Sequence, residues 1–107
     1  MMAFRIKQND TSPSLKAALS GSDLVSVDLT AATVMLHMKA IGGDVVLDEQ
    51  MTITDAEDGV VQYDWQVGDT STVGTYYVEF EVTYSDGSIE TFPNTGSLPL
   101  VITRELN

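Results

Sequence analysis

The chain has 107 residues, a formal net charge of −11, 43% hydrophobic and 20% charged residues, and no cysteine. That is the length of one domain with interior enough for its own core, a composition too apolar for disorder, and a residue set that excludes disulfides and zinc–thiolate centres. The charge is uneven: residues 40–103 hold twelve acids and no Lys or Arg, so nucleic acids and anionic membranes, which bind through basic residues, are not expected partners.

The chain opens MMAFRIKQND. Arg5, Lys7 and Asp10 interrupt any apolar region of an export signal, so synthesis without one is expected. No stretch nears the ~20 apolar residues that cross a bilayer. Phe4 to Lys7 and Leu15 to Leu19 read as short strands split by Asp10-Thr11-Ser12-Pro13, and Asp28 to Ala32 as a turn. Thr33 to Ala40 then alternates Val34, Leu36 and Met38 against Met35, His37 and Lys39, the period-two pattern of a half-buried strand. Gly42-Gly43 turns into Asp44 to Glu49, and a short strand, Met51 to Asp55, comes next. Asp58-Gly59 leads into Val60 to Trp65, with Val61, Tyr63 and Trp65 inward, and Gln66 to Gly74 is a polar loop.

The clearest element is Thr75 to Tyr84, with Tyr76, Val78, Phe80, Val82 and Tyr84 on one face and Thr75, Tyr77, Glu79, Glu81 and Thr83 on the other. Asp86-Gly87 after it suits a two-residue hairpin loop. That register sets Tyr84 opposite Ile89 and Val82 opposite Thr91, all facing inward. Pro93 marks a strand end or edge, and Leu98 to Ile102 offers the last strand. Short strands with turn signals every eight to twelve residues predict an all-β sandwich or barrel.

No constellation for chemistry emerges. His37, the one histidine, has no cysteine or second histidine to share a metal and no local nucleophile, so its expected role is structural or that of a surface residue. Asp55-Ala56-Glu57-Asp58-Gly59 fails the spacing of a calcium loop, because Gln66 stands where the closing Glu belongs. Gly68 to Gly74 has no Lys and is no phosphate loop. No metal, cofactor or catalytic residue is expected. Of the aromatic residues that could form a sugar platform, Tyr63, Trp65 and Tyr76 fall in the inward phase and only Tyr77 faces out.

Gly74 to Tyr84, GTYYVEFEVTY, resembles the sixth strand of immunoglobulin domains. The resemblance puts Tyr76 at the tyrosine corner, its hydroxyl bonding nearby backbone, and Val78 where antibodies carry their second cysteine. Both cysteines are missing, and Trp65 comes later in the chain than the immunoglobulin tryptophan. A wider likeness runs through FRIKQNDTSPSLKAAL, VDLTAATVMLHMK and VVQYDWQVGDTSTVGTYYVEFEVTYSDGSIETFP. These segments resemble the N-terminal domain family of phage baseplate upper proteins, immunoglobulin-like β-domains that help build the tail tip.

The expectation is therefore a single immunoglobulin-like β-sandwich over residues 1–107, with about seven to nine antiparallel strands. The resemblance implies a non-enzymatic structural component of a tailed-phage virion, in the baseplate, tail, neck or capsid. Its expected partners are other virion proteins, a second copy within the particle among them. Phe4, Arg5, Ile6, Lys7 and Gln8 form a mixed apolar–basic strand beside an acidic body, and are the expected docking segment. Because this segment precedes the Asp10–Pro13 break, few core strands are expected to depend on it. The rival expectation is a carbohydrate-binding module that grips host-surface glycans through Tyr77 and acidic loops.

Overall fold

A computed structural model describes residues 4–106. Its nine strands, in chain order, are β1 (Phe4–Lys7), β2 (Leu15–Ala18), β3 (Thr33–Ala40), β4 (Val45–Gln50), β5 (Thr52–Asp55), β6 (Val60–Tyr63), β7 (Gly74–Thr83), β8 (Ile89–Phe92) and β9 (Leu98–Thr103). The fold is all-β, with no helix among the described residues. One sheet runs β1-β9-β7-β3-β4 with β8 also on β7, and the other runs β2-β6-β5. Strands β9 and β8 share one side of β7, β9 along Gly74–Val78 and β8 along Phe80–Thr83, while β3 takes the other side.

The alternation read in the sequence decides which side chains meet. Val34, Leu36 and Met38 of β3 stand opposite Val82, Phe80 and Val78 of β7, and all six are buried. Leu15 and Val61 face them from the smaller sheet, closing a sandwich core with Leu29, Leu100 and Ile102. Burial of such side chains contributes roughly 1.5–3 kcal/mol each, so most of the fold's stability resides in this layer. The tyrosine corner is present: the Tyr76 hydroxyl donates to the Thr72 carbonyl at 2.6 Å. Trp65, just past β6, is buried under Phe4 and edge-on to Tyr63.

Two expectations are corrected. The Asp86-Gly87 turn is one residue longer than a two-residue loop: Gly87 N–H donates to Tyr84 O, and Tyr84 N–H donates to Ser88 O. Gly87 has a φ of 88°, the left-handed residue that closes a three-residue hairpin with a bulge. The register therefore slips by one, pairing Thr83 with Ile89 and Phe80 with Phe92. Ile89 is turned out to solvent and Phe92 takes the buried position. The second correction concerns β1, which runs parallel to β9, so the strands are not all antiparallel.

Gly59 shows why one predicted turn must be glycine. Its φ is 68°, and a Cβ there would lie 2.7 Å from Val27 O and 2.8 Å from Leu19 O. The turn between β5 and β6 is seated on the segment leading from β2 to β3, with Leu19 N–H donating to Gly59 O and Leu29 N–H to Ala56 O. On that segment Asp28 accepts from the Thr30 hydroxyl and amide, which hold its carboxyl below the usual range.

Candidate protein-docking surface

The expected docking segment is an edge strand with its neighbour on one side only. Phe4 to Lys7 pairs with Leu100 to Thr103, and among the described residues no strand lies on the other side of β1. Ile6 is buried in the core, and Phe4 packs on Trp65 with ring centroids 5.9 Å apart. Arg5 and Lys7 alternate with them and are exposed. Among the described residues no carboxylate lies within ion-pair distance of either, since the ion pairs present all involve His37. Gln8 turns back into the fold, its amide donating to Thr103 O and its side chain to Ser71 O.

The polar loop before β7 fastens the residues just past β1. Asn9 N–H donates to Thr70 O, and the buried Thr70 hydroxyl donates to Asp10 O at 2.8 Å. The sequence marks that loop as polar but gives no sign that it clamps the N-terminal segment. With Ile6 in the core and these bonds beyond it, β1 is part of the sandwich; the expectation that few core strands depend on it is corrected.

The opposite edge of the same sheet has a different chemistry. Strand β4 shifts register by one residue at Met38/Lys39, leaving Val46 as a bulge, and then pairs regularly from Leu47 to Gln50. Only Leu47 of this strand is buried, while Val45 and Val46 are 55% and 53% exposed. Asp48 and Gln50 stand on the sheet's outer face beside His37 and Met35, and Asp44 and Glu49 are exposed nearby.

His37 lies half-buried on that outer face. Its Nδ1 is 3.1 Å from Asp48 and its Nε2 3.8 Å from Glu81, so the imidazole ties β4 to β3 and β7. No group of three or more metal-ligating side chains occurs among the described residues. Beside it, His37, Lys39, Tyr77, Glu79 and Ser97 line a shallow groove of about 340 Å³, with Tyr77 exposed as its alternation requires. A smaller apolar cleft of about 170 Å³ opens between β2 and the end of β8, lined by Ala17, Leu19, Phe80, Phe92, Pro93 and Leu98.

Packing weakens the tyrosines as acids. Burial raises the Tyr63 phenol far above its ordinary range, helped by its 2.6 Å bond to Asp69, and burial with the bond to Glu90 pushes Tyr84 up to about 12. These are partly buried hydroxyls that fasten loops and strand ends, and they hold their protons near neutral pH.

The described residues thus form an immunoglobulin-like sandwich with open sheet edges and a clamped N-terminal strand. The family model for the BppU N-terminal domain matches residues 3–92. The chain belongs to that family, a family of structural domains of the phage baseplate, and so to the virion. Among solved structures it is similar to CopC from Methylosinus trichosporium OB3b, at 17% identity and a TM-score of 0.57, over 98% of this chain and 87% of that one. At that identity the likeness concerns the fold alone. No curated protein sequence matches the chain.

Proposed function

We propose that this chain is a non-enzymatic docking module of the baseplate, and that it attaches to a neighbouring virion protein along the free edge of β1. The observation that carries the reading is the alternation in that strand. Phe4 and Ile6 fix it to the core, which leaves Arg5 and Lys7 exposed and, among the described residues, without an ion-pair partner, beside an edge whose Lys7 carbonyl is taken by Asp10 N–H and whose remaining backbone groups have no neighbouring strand. A neighbour that presents a strand with acidic side chains satisfies both the backbone and the charge. Arg5→Glu with Lys7→Glu reverses the charge without touching the core. When the folded double variant replaces the native protein during assembly, it is expected to be absent from the purified particles. Binding at the wild-type level would place the contact elsewhere.

A second reading rests on exposed Tyr77 and the polar side chains around it, which suit the face and hydroxyls of a sugar. Host-surface glycans would then raise the melting temperature in a concentration-dependent way, and Tyr77→Ala would abolish the shift. No shift with any glycan removes this reading and leaves the docking role untouched.

A further inference from the structure

The two free edges of the larger sheet carry opposite charge and opposite direction. Strand β1 runs parallel to β9, β9 antiparallel to β7, β7 to β3, and β3 to β4, so β1 and β4 point in opposite directions. A lateral repeat of the domain, with no inversion, would therefore lay β4 of one copy antiparallel to β1 of the next. Antiparallel is the better-bonded arrangement. The outer face of such a pair would be continuous: Arg5 and Lys7 alternate with inward Ile6, and Asp48 and Gln50 flank Glu49, which shares the inward phase of Leu47. Both strands repeat every two residues, so a basic side chain can stand across from Asp48.

Length fits as well. The bulge at Val46 confines regular pairing in β4 to Leu47–Gln50, four residues, against the four of β1, where the Lys7 carbonyl already accepts from Asp10 N–H. The two edges are offset along the strands: β1 is level with Gly74–Tyr76 of β7 and Leu47–Gln50 with Val78–Glu81, so successive copies are staggered by about five residues. Val45 and Val46, more than half exposed beside the acidic stretch, would gain cover from a neighbouring copy. For a chain of net charge −11, contact between two acidic bodies is unfavourable except where the basic strand of one meets the acidic edge of the other.

We infer that the partner of the β1 edge is the β4 edge of a second copy of this chain, in a head-to-tail contact that repeats from copy to copy. Such a contact uses two different surfaces on each molecule and gives a ring or an open row, not a two-fold dimer. The inference rests on β1 being the docking edge and adds what docks there.

Sedimentation of the wild-type chain from micromolar to millimolar concentration is the first test and needs no variant. Species larger than a dimer are expected to grow with concentration. A protein that stays monomeric throughout, or that stops at a dimer, overturns the inference. Two variants then test the polarity: Arg5→Glu with Lys7→Glu, and Asp48→Lys with Gln50→Lys, all four positions being exposed. Each variant alone is expected to remain monomeric, and an equimolar mixture is expected to regain the large species because the reversed edges now match. Growth in either variant alone, or none in the mixture of folded variants, overturns the head-to-tail pairing. A wild-type monomer whose Arg5→Glu, Lys7→Glu form still loses particle binding would end this inference and leave the docking role intact. A variant that binds particles normally would end the docking role itself.

Discussion

The two edge strands of the larger sheet differ in how they are held. Strand β1 is four residues long yet gives Ile6 to the core and Phe4 to Trp65, and its far end is bonded to the loop before β7. Strand β4 is longer but buries Leu47 alone, is bulged at Val46, and is tied across its outer face by His37. Strand length therefore does not measure how firmly an edge belongs to the sandwich. The short basic edge is fixed by its inward side chains and so can present Arg5 and Lys7 in a constant geometry, whereas the acidic edge is bulged and gives Leu47 alone to the core.

That contrast can be broken by substitution. Deleting residues 1–8 should abolish the cooperative melting transition, because it removes Ile6 and the β1–β9 pairing together. A truncated protein that still melts cooperatively would show β1 to be dispensable. Ile6→Ala should cost about 2–5 kcal/mol in denaturant unfolding, as a buried aliphatic residue does, with Leu47→Ala at the bottom of that range. Equal costs would erase the distinction between the edges. Tyr76→Phe keeps the ring and removes one hydrogen bond to Thr72, a loss of about 1 kcal/mol. The smallest effect belongs to Arg5→Glu with Lys7→Glu, expected within about 0.5 kcal/mol per site because both are exposed.

Alkaline pH offers a further probe. The folded state holds the Tyr84 proton to about 12 against an ordinary 10, so the stabilisation is fully present below pH 10 and is lost as pH rises through 12. Tyr63 shifts in the same direction. Melting temperature should fall across that window, and the fall should shrink in Tyr84→Phe.

Much of the sandwich was legible because β3 and β7 each have one wet and one dry face, and the pattern in Val34-Met35-Leu36-His37-Met38 states which is which. Tyr76 was legible too, since the tyrosine corner has a fixed place at the start of its strand. The hairpin after β7 was misjudged by one residue. Asp86-Gly87 suits both a two-residue loop and a three-residue loop with glycine in the left-handed position, and apolar Ile89 favoured the wrong one. The exposed basic pair was readable from the alternation Phe4-Arg5-Ile6-Lys7. Its parallel pairing with β9 was not, because the partner lies at the other end of the chain and leaves no local trace. The acidic β4 edge was missed as a surface for the same reason: edges are defined by what fails to pair with them.

The most direct test of the docking role is hydrogen exchange on the wild-type protein, free and assembled in its particle. Exchange across Phe4–Lys7 is expected to slow on assembly, while the β3–β7 centre, already closed off in the free protein, changes little. Unchanged exchange across Phe4–Lys7, with slowing confined to other surfaces, would contradict attachment through the β1 edge.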